Sequence, residues 1–183
     1  MALAQVDQCV LIVVDMQPKF LAPIFEASRV HSRTLFLIRA AKLLGVPICA
    51  TEQNPERMFG TDPVLAAELS RDLIWPKMEF SALGCPQLEP FLNKQDRGQL
   101  VVCGIETHIC INQTAHHLLE RGYEVLLAAD AVSARTQEMH DVGLRGMISE
   151  GATLTHTESL VYEWLGSANH PAFRSVLELV KNA

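Results

Sequence analysis

The 183-residue sequence is 49% hydrophobic and 20% charged, which is enough apolar side chain for one domain with a sizeable core. Fifteen basic against 21 acidic residues leave a net charge of −6, with no basic cluster, so neither nucleic acid nor an anionic membrane surface is an expected partner and a small-molecule substrate is. The five cysteines, Cys9, Cys49, Cys85, Cys103 and Cys110, form an odd set without C-x-x-C spacing, which excludes a disulfide framework and a zinc knuckle.

In chain order, "CVLIVVD" (9–15) is a β-branched apolar run broken by Asp15. No basic region precedes it, and no later segment approaches the ~20 apolar residues that span a bilayer, so a cytoplasmic protein is expected. "SRTLFLIRAAKLLG" (32–45) repeats apolar residues at intervals of three and four and ends in glycine, the signature of a helix and its stop. "VPICAT" (46–51) reads as the second strand and "DLIW" (72–75) as a weaker third, within an irregular, proline-containing stretch at 53–90. "LVVCG" (100–104) is the fourth strand, "HICINQTAHHLLERG" (108–122) a helix, "EVLLAAD" (124–130) the fifth strand, "HDVGLRGMISEG" (140–151) a helix and "ATLT" (152–155) a sixth strand. "HPAFRSVLELVKNA" closes the chain with an apolar stripe at Phe173, Val176, Leu177 and Val180 that faces the domain or a neighbour.

Strands that are apolar throughout need helices on both faces. The alternation therefore predicts one α/β domain over 1–183, a doubly wound, Rossmann-like parallel sheet of six strands. Such sheets bind ligands beyond the carboxyl ends of the strands, where strand order reverses. With the order 3-2-1-4-5-6, strands one and four are neighbours. Asp15 and Cys110 then share a crevice, and Lys77 reaches it from the side. A thiol in the first turn of a helix beside an ammonium has its pKa lowered. A carboxylate can carry its proton, and backbone N–H groups at the bend before the helix can bind an oxyanion. Each residue also has a plainer reading: Cys110 as a small buried hydrophobe, Asp15 as a turn residue. Spacing alone does not choose between these.

Three segments, "LIVVDMQPKF", "WPKMEFSAL" and "VVCGIETHICINQTAHHLLERGYEVLLAADAVSAR", resemble the signature segments of the isochorismatase-like (cysteine hydrolase) superfamily, in the same order. "TEQNPE", "GIE" and "NHPAFRSVLELVK" are most similar to the isochorismatase domain-containing protein subgroup. The resemblance implies a catalytic triad at Asp15, Lys77 and Cys110. It also implies a non-proline cis peptide at Ile105–Glu106 that turns the Glu106 N–H toward the point faced by the Cys110 N–H, forming the oxyanion hole.

The sequence departs from the superfamily's nicotinamidases, whose Asp-x-His-x-x-x-His metal site has no counterpart in "ATEQNPERMFGTDP". No metal or other cofactor is expected, and His108, His116 and His117 are read as exposed or interface residues. Pro18 and Lys19 stand where many amidases have Asn-Asp, a change that bears on the entrance. Phe20, Thr51 and Gln53 border the crevice as candidate substrate contacts. Asp130 and Arg135 are assigned to the turn after the fifth strand, and Trp75 and Trp164 to the core or an interface. The leading expectation is a metal-independent hydrolase that cleaves an amide-type C–N bond through an acyl-enzyme at Cys110. The alternatives are isochorismatase-type enol-ether hydrolysis and a non-catalytic, redox-responsive protein. Relatives with this fold commonly form symmetric assemblies, so a homo-oligomer is expected.

Overall fold

The computed structural model describes residues 3–182; residues 1, 2 and 183, the ends of the expected 1–183 domain, lie outside them. Six strands form a single parallel sheet: β1 (Cys9–Val14), β2 (Ile48–Gln53), β3 (Ile74–Lys77), β4 (Gln99–Ile105), β5 (Glu124–Ser133) and β6 (Thr153–Thr155). Their spatial order is β3-β2-β1-β4-β5-β6, with every pairing parallel. The reversal falls between β1 and β4, as the sequence predicts.

The absence of apolar alternation in β1 has its cause in the two helical layers. Leu11 and Val13 pack into one core with Phe36, Leu37 and Ile38 of helix α1 (Ala27–Leu44). Val10, Ile12 and Val14 point the other way, into a second core with Leu88 and Leu92 of α2 (Leu88–Gln95) and Leu118 of α3 (Asn112–Glu120). Met147 of α4 (Gln137–Ser149) joins that second core. Trp164 of α5 (Thr157–Leu165) and Val176 of α6 (Phe173–Lys181) join the first. Phe173 and Val180 of the C-terminal stripe therefore pack on the domain itself. Burying each such Leu, Ile or Val contributes about 1.5–3 kcal/mol, so both faces of the central strands must stay apolar.

The third and fifth strands depart from their sequence expectations. The third strand is shifted to Ile74–Lys77, with a 3₁₀ turn at Arg71–Leu73 before it. Pro76 lies inside this strand, which an edge position tolerates because one side of the ladder needs no N–H donor. The fifth strand runs past Asp130 to Ser133, because a register shift at Val102/Gly104 lets Gly104 and Ile105 pair with Val132 and Ser133. Trp75 and Trp164 are buried, Trp75 edge-on to Phe91 with 5.4 Å between ring centroids. No helix among the described residues is long and apolar enough to cross a membrane.

Candidate active site

The carboxyl ends of β1, β3 and β4 bring Asp15, Lys77 and Cys110 together. Asp15 directly follows β1 and has the left-handed φ of 54°, a conformation that costs a residue with a Cβ about 1–2 kcal/mol. Its backbone N–H donates to Thr51 O at 3.0 Å, and the turn aims its carboxylate into the crevice rather than along the strand. Oδ1 accepts from Thr51 Oγ1 at 2.8 Å and Oδ2 from Lys77 Nζ at 2.7 Å.

Lys77 ends β3 with its side chain wholly buried. Its ammonium has three donors to place, and it finds Asp15, Gln53 Oε1 at 2.6 Å, Phe80 O at 3.0 Å and Glu79 O at 3.2 Å. It also lies 3.8 Å from Cys110 Sγ. The ammonium is thereby fixed between carboxylate and thiol.

Cys110 sits in a wide π-type turn, Thr107–Ile111, that precedes α3. Glu106 O accepts from the N–H groups of both Ile109 (3.0 Å) and Ile111 (3.2 Å), which closes the turn. Two glycines permit this geometry. Gly104, at φ +116°, runs so close to β1 that a Cβ there would lie 2.1 Å from Val14 O. Gly143 lets α4 approach the turn, since its Cβ would lie 3.0 Å from His108 Cα. The Ile105–Glu106 peptide between Gly104 and the turn is cis.

The electrostatics depart from the sequence expectation of a lowered thiol pKa. Burial pushes the Cys110 thiol up to about 12, and the Asp15 charge adds to this against the pull of Lys77 and the Glu106 N–H. Desolvation of a nearly enclosed sulfur outweighs one ammonium that is already shared with a carboxylate. Burial likewise raises the Asp15 pKa, opposed by Lys77, Thr51 and the Cys110 thiol. Cys110 therefore rests as a neutral thiol, with the Asp15 carboxyl group beside it.

A cavity of about 110 Å³ opens at the sulfur, lined by Asp15, Phe20, Gln53, Phe80, Ile105, Glu106, Ile109 and Cys110. Phe20 and Gln53 thus stand where the sequence places them. Thr51 is buried and not among the lining residues, because its hydroxyl is engaged by Asp15. Phe80 and Ile109 were not singled out from the sequence, nor was Gln17, and Ile105 was named only for its peptide bond to Glu106. The Gln17 amide receives the Gln53 N–H at 2.7 Å and donates to Gln53 O and Phe59 O, fixing the residue that holds Lys77. Its place two residues after Asp15 is a signal that the strand-end motif offers. Lys19 donates to Arg57 O at 2.8 Å and lies 4.2 Å over the Phe59 ring, apart from the residues that line the cavity.

Other expectations are revised. Asp130 lies within β5 and accepts from the Thr157 N–H and hydroxyl at 2.8 and 2.6 Å, so it anchors the start of α5 rather than the turn after the strand. Arg135 reaches back to the Glu106 carboxylate at 3.0 Å. His108, His116 and His117, expected as exposed or interface residues, are half-buried, and His117 Nδ1 lies 3.0 Å from Ser81 Oγ. Among the described residues, no three His, Cys, Asp or Glu side chains gather as a metal site.

The isochorismatase domain matches residues 9–159. Isochorismatase domain-containing protein 2 of Xenopus laevis is 38% identical over 172 residues, covering 93% of this chain and 82% of its own length. A Caenorhabditis elegans structure described as MAR1 ribonuclease superposes with a TM-score of 0.93 at 33% identity, covering 98% of this chain and 93% of that one. The YcaC product of Escherichia coli, described as an octameric hydrolase of unknown specificity, shares the fold at TM-score 0.87 and 18% identity, covering 100% and 98%.

Proposed function

We propose, from the premise that this chain belongs to the isochorismatase family of hydrolases, that it cleaves an amide-type C–N bond of a small molecule through an acyl-enzyme at Cys110. The observation that supports this reading best is the contiguous set of Asp15, Lys77 and Cys110 around one cavity.

In this mechanism the substrate carbonyl carbon enters above Sγ. Asp15 takes the thiol proton as sulfur attacks, so the thiolate forms only when an electrophile is in place. The backbone N–H groups of Glu106 and Cys110 receive the developing oxyanion. Lys77 offsets the negative charge shared by sulfur and carboxylate. When the C–N bond breaks, Asp15 returns the proton to the leaving amine. It then deprotonates the water that attacks the thioester, and cleavage releases a carboxylic acid and the free thiol. Phe20 and Gln53 line the bound acyl group. The residues need neither metal nor cofactor for these steps.

A cytoplasmic, homo-oligomeric enzyme acting as one domain over 1–183 completes the proposal. The octameric assembly of the E. coli fold relative supports the homo-oligomer. The ribonuclease description belongs to the C. elegans protein. A cavity of about 110 Å³ without a basic lining residue favours a small uncharged substrate here over a polynucleotide.

The test is intact-mass spectrometry of the protein quenched during turnover of a small amide, with ammonia release followed in parallel. An acyl adduct that maps to Cys110 and is absent from Cys110→Ser supports the mechanism. Ammonia release that persists in Cys110→Ala would sink it.

A further inference from the structure

The walls of the Cys110 cavity carry information about the substrate beyond the reaction type. Four of the eight lining residues, Phe20, Phe80, Ile105 and Ile109, are apolar, and the polar ones are Asp15, Gln53, Glu106 and Cys110. Among the described residues, no lysine, arginine or histidine lines it. The nearest cation, Lys77, has its donors engaged by Asp15, Gln53 and the carbonyls of Glu79 and Phe80. Arg135, the cation next to Glu106, is half exposed and bound to that carboxylate at 3.0 Å. A second carboxylate entering the cavity would meet Asp15 and Glu106 without a free partner, and like charges brought together in a desolvated site repel strongly.

Size restricts the substrate further. A cavity of about 150 Å³ holds benzene, and this one is about 110 Å³. The space suits an acyl group smaller than a phenyl ring.

We infer that the substrates are primary amides of short, uncharged aliphatic acids, and that carboxylate-bearing and aromatic amides are rejected, Glu106 acting as the specificity-determining side chain against anions. The inference rests on the amide-hydrolase reading for its leaving group, while the charge and size selectivity come from the cavity alone. The reaction balances as before: the amide C–N bond breaks, a C–S bond forms, Asp15 carries the thiol proton to the departing ammonia, and water regenerates the thiol and releases the acid.

The full-length protein is tested with two pairs of near-isosteres. Alkylation of Cys110 by iodoacetamide and by iodoacetate is followed by peptide mass spectrometry and normalised to the same pair reacting with glutathione. Ammonia release is measured on propionamide, isobutyramide and benzamide, and on malonamide against malonamate. The expected result is a neutral-over-anionic preference of roughly tenfold or more in both readouts, as like-charge repulsion in a low-dielectric pocket requires. Propionamide and isobutyramide should be turned over at least tenfold more efficiently than benzamide. Glu106→Gln should narrow the iodoacetamide to iodoacetate ratio, since it removes one negative charge and frees Arg135.

Iodoacetate reacting as readily as iodoacetamide, or benzamide outpacing the aliphatic amides, overturns the inference whether or not the hydrolase reading survives. Selective labelling by the neutral reagent with no amide turned over overturns the hydrolase reading and upholds the charge selectivity of the cavity.

Discussion

Asp15 and Asp130 invite comparison because their local surroundings are so similar. Both follow or lie on central strands, both are nearly buried at 2% and 7% exposure, and both accept a hydrogen bond from a threonine hydroxyl with a cation nearby. Asp130 has each oxygen directed at the first residue of α5, with Arg33 at 3.6 Å and His156 at 3.2 Å outside it. Asp15 has one oxygen on Thr51 and the other on Lys77, and it still faces a cavity and a thiol. Burial, a threonine and a cation therefore do not mark a reactive carboxylate. Position at the strand-order reversal, with open space and a nucleophile in front, distinguishes the two.

The largest expected separation between these regions is in activity. Cys110→Ala should lower turnover of a small amide about 10⁴-fold or more, the scale for losing a nucleophile, with little change in the unfolding midpoint. Asp130→Ala should reverse the pattern, costing about 2–4 kcal/mol in urea unfolding because Thr157 and Arg33 lose a buried acceptor. Similar losses of stability at both sites would erase the distinction.

Next comes the buried pair itself. Lys77→Met leaves Asp15 as an uncompensated buried carboxylate and should cost about 3–5 kcal/mol. Adding Asp15→Asn should recover part of that loss, which a double-mutant cycle by denaturant melts would read directly. A strictly additive double mutant would show that the two groups are not coupled.

The thiol separates field from proton transfer. With its pKa pushed up to about 12, Cys110 holds only about one thiolate in 10⁴ at a pH of about 8. Its alkylation rate should therefore keep climbing past about pH 9.5 without a plateau. Asp15→Asn removes the neighbouring negative charge while Lys77 remains, so it should speed alkylation and yet abolish turnover. A plateau below about pH 8.5 in the wild type would instead mean a resting thiolate.

The smallest effect lies on the surface. Glu68 bonds Lys42 at 2.6 Å and Arg39 at 2.7 Å, and these contacts lower its pKa from the ordinary 4.5. A lowered folded-state pKa stabilises above the unfolded value and is lost as pH falls through the folded one. Glu68→Gln should cost no more than about 1 kcal/mol at neutral pH, a difference that fades below pH 4.5. Thermal melts across that range would check both sign and size.

Much of this was legible in the sequence, for reasons that particular residues make plain. The run Cys9–Val14 is buried on both faces and so carries no alternation, which declared a covered parallel sheet. Asp15 and Lys77 were legible as strand-end residues, and Phe20 and Gln53 as residues beside the crevice. Thr51 was misplaced because a threonine at a strand end looks the same whether its hydroxyl meets a ligand or a carboxylate. The role of Asp130 was hidden by the 27 positions that separate it from Thr157. The start of α4 was read three residues late, since the Thr136 side chain capping Met139 N–H extends the helix ahead of its apolar pattern.

Periodicity and residue type are carried along the chain, and they determined by themselves the α/β class, the six strands and the identity of a candidate nucleophile. Solvation and charge pairing belong to no single segment. Asp15 meets Lys77 across 62 positions and Thr51 across 36, and Cys110 is desolvated by layers drawn from several elements. Only the folded molecule decided that its thiol rests neutral, that its cavity is small and without a lining cation, and that one of two similar aspartates faces open space, because dielectric and distance are set by residues the chain brings together only on folding.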